Sequence, residues 1–284
     1  MKQTKPIYVV SDLHLGSGGR RDNFSTYRKE KQFFDFLDFV EKNDGELIIT
    51  GDLVDMWRFR IRRILRRYAE LFDRLAEMNV SYIVGNHDQA IEPLVQNRIL
   101  PHSFFEKATG PFTRQIGGKC FKFMHGHELD PLNSRMKHLW GRIVCISAGA
   151  LEWINGAPFY TTEAIEKVLI NFEEKLLEMW MRICLEMKKT LSLDICPHYC
   201  GSRLKNIKTK KLLVRHQDYK NSQGYDITIS AHTHRVGSFK NWYFNSGSWV
   251  GATNDFLNIL PDGRTTIFDW TVSGPKRNQT ILCA

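Results

Sequence analysis

Long apolar runs are missing from this 284-residue chain: no stretch approaches the ~18–20 consecutive apolar residues that a membrane-spanning helix requires. The first apolar run, Ile7–Val10, is too short for an export signal and leads straight into Asp12. Cysteine is sparse as well, and six residues (Cys120, Cys145, Cys184, Cys196, Cys200, Cys283) in a chain of this length build no disulfide framework. Internal repeats and low-complexity tracts are absent. These absences exclude spanning, disulfide-stapled and repeat architectures, so a reduced, cytoplasmic protein is expected. An acidic balance is lacking too. The 40 Lys and Arg outnumber the 31 Asp and Glu, and the net charge of +9 suits an anionic partner: nucleic acid, an acidic membrane surface or a phosphorylated substrate. What remains is ordinary globular composition, 42% hydrophobic and 25% charged, enough for the core of one large domain or two small ones.

The apolar pattern gives the chain its rhythm. Ile7–Val10 reads as a strand ending at Ser11-Asp12-Leu13-His14. Phe33, Phe36, Leu37 and Val40 recur at helical spacing and predict an amphipathic helix over 26–42. A second strand over 47–49 ends at Gly51-Asp52. Ile61, Leu65, Tyr68, Leu71, Phe72 and Leu75 then predict one helix over 58–78, opened by a cationic cluster of Arg58, Arg60, Arg62, Arg63, Arg66 and Arg67. A third strand over 80–84 delivers Gly85-Asn86-His87-Asp88, and the resulting βαβαβ order is that of a parallel sheet. Gly117-Gly118 reads as a turn, and 120–124 as a strand delivering His125.

Residues 131–226 break this rhythm and read as a helical insert, with a long helix over 162–189 that is apolar around most of its circumference. Within the insert, Cys196, His198 and Cys200 lack a fourth zinc ligand and read as ordinary thiols and imidazole. Lys205, Lys208, Lys210, Lys211 and Arg215 read as a solvated basic face. Ile227–Ser230 is again a strand, delivering His232 and His234. Segments 242–245, 256–260 and 265–270 predict antiparallel strands of a second sheet.

Five short stretches therefore follow predicted strands, where open α/β sheets place their chemistry: Asp12-Leu13-His14, Gly51-Asp52-Leu53-Val54-Asp55, Gly85-Asn86-His87-Asp88, His125-Gly126-His127 and His232-Thr233-His234. Carboxylate, imidazole and amide oxygen are the donors that Mn²⁺, Fe²⁺, Co²⁺ and Zn²⁺ accept. Asp12, His14 and one late histidine suffice for one ion; Asn86, His125 and the other late histidine suffice for a second. Asp52, with two oxygens, is the natural bridge. Two ions ~3.5–4 Å apart clamp a phosphoryl group and lower the pKa of a shared water towards ~7, giving a hydroxide nucleophile. His87 is placed to protonate the leaving oxygen, with Asp88 expected to orient its ring.

In this order the stretches resemble the calcineurin-like metallophosphoesterases, which read D-x-H, GD-x-x-D, GNH-[DE], a histidine before glycine, and GH-x-H. Ala231 stands where the last motif usually has glycine, and Asn245-Ser246-Gly247-Ser248-Trp249 is similar to the family's later asparagine–glycine–serine element. The resemblance covers 7–130 and 227–250. It implies a four-layer α/β/β/α sandwich of two mixed sheets, formed by a single domain over 1–284 with the helical insert 131–226 as a lid. It also implies two divalent ions, Mn²⁺ foremost, with Asp12, His14, Asp52 and His234 on one and Asp52, Asn86, His125 and His232 on the other. His127 is then left behind the ligands or facing substrate.

Within the family, Ser11-Asp12-Leu13-His14-Leu15 and Gly51-Asp52-Leu53 with Trp57 look most like bacterial UDP-2,3-diacylglucosamine diphosphatases. That likeness implies a lipid pyrophosphate substrate and peripheral contact with the inner face of a membrane. Two features depart from it: His87 stands where those enzymes have arginine, and the insert is larger. A metal-dependent nuclease or cyclic-nucleotide phosphodiesterase is the alternative enzyme, recognisable by salt-dependent nucleic-acid binding. An inert scaffold of the same fold is the non-enzymatic alternative, which stoichiometric metal would dismiss.

Overall fold

Ile7-Tyr8-Val9-Val10 form a fully buried central strand, β1 (Ile7–Val10), because β-branched and aromatic side chains pack well on both faces of a pleated sheet. The computed structural model describes residues 4–19, 22–26, 28–99, 101–130, 207–280 and 282. After β1 come α1 (Asn23–Thr26), α2 (Lys29–Lys42), β2 (Glu46–Thr50), α3 (Ile61–Arg67), α4 (Ala69–Glu77), β3 (Val80–Ile83) and α5 (Glu92–Gln96). The strands β4 (Ala108–Thr109), β5 (Phe112–Ile116) and β6 (Lys119–Phe123) follow. The chain continues with α6 (Ile207–Gln223), β7 (Ile227–Ser230), β8 (Gly237–Phe239), β9 (Tyr243–Asn245), β10 (Asp255–Ile259), β11 (Thr265–Thr271) and β12 (Gly274–Asn278).

Two mixed sheets result, of order β12-β11-β10-β1-β2-β3-β4 and β5-β6-β7-β9-β8. In the first, β1 to β4 run parallel while β10, β11 and β12 attach antiparallel. In the second, β6, β7 and β9 are parallel with antiparallel edges. The period-2 alternation of strands sets the layers. Ile7 and Val9 face the second sheet, meeting Phe121, Phe123, Ile227 and Ile229 in the inter-sheet core. Tyr8 and Val10 face the helices, packing with Phe33, Phe36, Leu37 and Val40 of α2 and Leu71, Phe72 and Leu75 of α4. Helix α6 packs on β7 from the far side. Phe36 shows what holds the first layer, with its ring 5.5 Å from Trp249, 5.1 Å from Phe256 and 5.5 Å from Trp270. Truncating such a fully buried aromatic costs about 3–5 kcal/mol.

Several expectations need correction. The helix predicted over 26–42 starts at Lys29, because Arg28 is left-handed at φ 51° and separates it from α1. The single helix predicted over 58–78 breaks at Tyr68, where φ −118° and ψ 34° end α3 and start α4. Its hydroxyl there donates to Asp22 Oδ2 at 2.7 Å, a contact the periodicity does not reveal. Segments 256–260 and 265–270 do not build the second sheet: they are β10 and β11, added to the first through the pairs Ile7↔Ile259 and Val9↔Leu257. Tyr243–Asn245 does join the second sheet, but parallel to β7. The Gly117-Gly118 turn closes the β5–β6 hairpin with φ of 57° and 79°, values that favour glycine in a two-residue loop. The helix predicted over 162–189 and the Cys196, His198, Cys200 group lie outside the described residues. Among the described residues no helix is long and apolar enough to cross a membrane.

Candidate metal centre

The loops leaving β1 and β2 stay zipped beyond the strands, which brings their acids side by side. Asp12 N donates to Gly51 O at 3.1 Å, His14 N to Asp52 O at 3.0 Å, and Leu15 N to Leu53 O at 2.9 Å. From β3, His87 N donates to Asp52 Oδ1 at 2.9 Å. From the second sheet, His232 N donates to Asp12 Oδ2 at 3.3 Å. Donor atoms converge within 4.8 Å in three overlapping groups: Asp12, His14 and His234; Asp12, Asp52 and His125; and His14, Asp55 and His87. Asn86 joins the second group, its Oδ1 lying 3.1 Å from His125 Nε2.

Ring orientation follows from what each nitrogen touches. His125 Nδ1 sits 2.7 Å from Thr50 O, a carbonyl that only accepts, so Nδ1 donates and Nε2 is the nitrogen turned to the site. Nε2 then faces Asp52 Oδ2 at 3.3 Å. On the other side, His234 Nε2 lies 3.1 Å from Asp12 Oδ1 and 3.1 Å from His14 Nε2. Asp12 Oδ1 is buried and accepts no hydrogen bond.

Buried oxygens and lone pairs aimed at one another cost free energy unless a cation or protons neutralise them. Burial by itself would raise the pKa of Asp12, but His234 and His14 outweigh it and hold the carboxyl well below its ordinary range. Burial of Asp52 is likewise outweighed by His125 and His87. Conversely, burial would lower the pKa of His125, yet Asp52 pushes it up to about 10. The chemistry of this donor set, two carboxylates, three imidazoles and an amide oxygen around one orphaned oxygen, fits hard or borderline divalent cations. The backbone carries a matching signature. Asp12, His14, Asp52, His232 and His234 all hold left-handed φ between 48° and 69°, a costly conformation for such residues that clusters at functional sites.

His87 belongs to the third of these groups, with His14 and Asp55, and stands beside the Asp52 donor set. Its Nδ1 is 3.1 Å from Asp55 Oδ1, and its ring stacks on Trp57 with centroids 3.7 Å apart and planes 25° apart. Burial would lower its pKa, but Asp52 and Asp55 raise it, favouring the protonated ring. The ring expected to lean on Asp88 therefore leans on Asp55. Asp88 turns the other way: its Oδ2 accepts from Leu53 N at 2.8 Å and its Oδ1 from Gly85 N, so it ties two loops together. Burial and the neighbouring Asp52 raise its pKa to about 7.

His232 is set apart from the convergent groups. Its Nε2 faces Asp130 Oδ2 at 3.0 Å, and its ring centroid is 5.3 Å from that of His125. His127 is stationed behind His125, with ring centroids 5.3 Å apart. Burial and the His125 charge hold its pKa at about 4. Sequence reasoning assigned no role to Asp55, Trp57 or Asp130. Asp55 carried a signal as the second acid of Gly51-Asp52-Leu53-Val54-Asp55, and Trp57 one only through the family resemblance.

Residues 5–236 match the family model of the calcineurin-like phosphoesterases. Among solved structures the chain is similar to a Vps29 single mutant from Entamoeba histolytica, with 13% identity over 96% of this chain and 97% of that one and a TM-score of 0.44. It is also similar to a predicted phosphoesterase from Streptococcus pneumoniae TIGR4, with 11% identity over 99% of this chain and 97% of that one and a TM-score of 0.40. A putative 5′-nucleotidase from Staphylococcus aureus shares 13% identity over 99% of this chain and 55% of that one, with a TM-score of 0.38. No curated protein matches the chain significantly in sequence.

Proposed function

The chain belongs to the calcineurin-like phosphoesterase family, and from this premise we propose that it is a metal-dependent phosphohydrolase cleaving a phosphoester or pyrophosphate bond. The observation that carries the proposal is the placement of Asp52. Its carboxylate lies 3.3 Å from His125 Nε2 and 3.7 Å from His14 Nε2, between the two donor groups. Asp12, His14 and His234 would hold one divalent ion, and Asn86, His125 and His232 a second, with Asp52 shared. Bound there, two such ions supply Lewis-acid polarisation of the phosphoryl oxygens and a water acidified to a pKa of ~7.

The side chains supply the rest. Thr50 O holds the His125 ring through Nδ1, so that Nε2 is the nitrogen turned to the site. Asp55 holds His87 through Nδ1, so the opposite nitrogen is the one that gives its proton to the leaving oxygen as the P–O bond breaks. Trp57 stacked on that ring limits its rotation. The exposed side chains of Arg60, Arg62, Arg63 and Arg66 follow this loop directly and suit an anionic substrate or an acidic membrane surface. Among specific substrates, a UDP-2,3-diacylglucosamine-type lipid pyrophosphate is supported by Ser11-Asp12-Leu13-His14-Leu15 and by Gly51-Asp52-Leu53 with Trp57.

The test is hydrolysis by Mn²⁺-loaded protein of bis-p-nitrophenyl phosphate, single-stranded DNA and UDP-2,3-diacylglucosamine in parallel, with Asp52→Asn as control. Turnover of one or more substrates that vanishes in the folded variant is expected; full activity in Asp52→Asn refutes the proposal. Release of UMP and acylated sugar phosphate identifies the lipid substrate. Cleavage of DNA with a steep salt dependence identifies a nuclease instead.

A further inference from the structure

Asp130 is buried and faces the partly buried His232, and neither sequence pattern nor the convergent donor groups explain why a carboxylate stands there. Both partners are fixed. A 3-10 turn, His127–Leu129, ends at Asp130, whose backbone N donates to His127 O at 3.1 Å. From the opposite side Arg215 of α6 donates to Leu129 O at 3.2 Å, clamping the turn against the sheet. His232 is held at φ 69°, with its backbone N on Asp12 Oδ2 at 3.3 Å. The 3.0 Å approach of His232 Nε2 to Asp130 Oδ2 is therefore built from two rigid pieces of chain.

We infer that Asp130 is a positioning residue of the metal centre, holding His232 through Nε2 so that Nδ1 is the nitrogen presented to an ion. A carboxylate oxygen accepts, so Nε2 carries the hydrogen and the lone pair resides on Nδ1. His125 shows the converse arrangement, with Nδ1 donating to Thr50 O and Nε2 turned to the site. The two histidines delivered by β6 and β7 thus present opposite nitrogens, one oriented by a backbone carbonyl and one by a carboxylate. A carboxylate behind a ligating imidazole fixes the ring and raises its basicity, and its loss typically weakens metal binding 10–100-fold.

This inference rests on the two-metal reading above, and the experiment separates the two. Mn²⁺ binding is measured by calorimetry, and bound metal is counted after gel filtration, for wild type, Asp130→Ala and Asp130→Asn. Exchange coupling between two Mn²⁺ ions is followed by electron paramagnetic resonance. Wild type is expected to take two equivalents. Asp130→Ala should keep one tight equivalent, bind the second about 10–100-fold more weakly and lose the coupled signal. Asp130→Asn, whose amide oxygen still accepts, should fall between them. Thermal unfolding of the metal-free proteins distinguishes loss of fold from loss of positioning, and Asp130→Asn carries the test if Asp130→Ala does not fold. Two equivalents at wild-type affinity in both variants overturn the role of Asp130. Fewer than two equivalents in wild type overturn the two-metal reading, and this inference with it.

Discussion

Gly85→Ala is the substitution whose effect the geometry specifies most sharply. Gly85 precedes the Asn86-His87 pair, and its φ is one that alanine adopts, so the backbone itself offers no objection. The added methyl, however, would lie 2.5 Å from Asp52 N and 3.0 Å from Asp52 Cγ, and nearer still to Oδ1, where ordinary contact begins at 3.4 Å. Asp52 has no free direction in which to retreat: its O accepts from His14 N at 3.0 Å and its Oδ1 from His87 N at 2.9 Å. Relief of the contact with Asp52 N alone requires a relative shift of about 0.9 Å, and misplacing a catalytic group by ~1 Å costs about 10²-fold in rate. That corresponds to about 2.7 kcal/mol of transition-state stabilisation. The assay is Mn²⁺-dependent hydrolysis of bis-p-nitrophenyl phosphate, with the metal concentration for half-maximal rate determined alongside. Gly85→Ala should lose about two orders of magnitude in kcat and need more metal. Gly110→Ala, with nothing within 4 Å of its added methyl and no left-handed φ, should behave as wild type. Wild-type turnover at wild-type metal demand in Gly85→Ala would refute the placement of Asp52 at the centre of the chemistry.

Asp55→Asn keeps the shape beside His87 but removes the charge that favours its protonated ring, so kcat should fall about 10²-fold with KM little changed. The loss should be larger for alkyl than for p-nitrophenyl leaving groups, and equal losses would count against His87 as the acid. His216, buried against Ser230 and Tyr243, has its pKa lowered by burial to about 3. A depressed histidine contributes stability that is complete above its unfolded value of ~6.5 and is lost as pH falls towards its folded value. At pH 5 this group accounts for a loss of about 2 kcal/mol. Urea unfolding at pH 7 and pH 5 should therefore show a smaller difference in His216→Gln, and identical differences would refute the assignment. Finally, chelation should lower the melting temperature by about 5–10 °C, since a ligand at 100-fold its Kd contributes ~2.7 kcal/mol. Asp52→Asn should respond less, and a melting curve indifferent to chelator would contradict a metal site.

How far the sequence could be read depended on whether the responsible interaction was local. The β-branched run at 7–10 and the spacing of Phe33, Phe36, Leu37 and Val40 announce strand and helix because burial of a strand face or helix stripe imposes those periods on neighbouring residues. The break at Tyr68 was invisible in the same periodicity, as was the hydrogen bond its hydroxyl makes to Asp22, far off in the chain. Similarly, 256–260 and 265–270 were legible as strands but not as members of the first sheet. Alternating apolar residues state that a strand has a buried face, not which open edge it will complete.

The sequence by itself determined that Asp12, His14, Asp52, Asn86, His125, His232 and His234 would each stand at the end of a strand, because each follows an apolar run closely enough for local geometry to place it. Only the tertiary structure decided how these side chains pair. Asp55 and Asp88 flank the same region, yet Asp55 meets the His87 ring while Asp88 spends both oxygens on backbone N–H groups of Leu53 and Gly85. Asp130 meets His232 across 102 positions of chain. Such choices turn on differences of an ångström between loops that converge from separate strands of two sheets. Hydrogen bonds weaken steeply with that distance and angle, and no spacing along the chain encodes it.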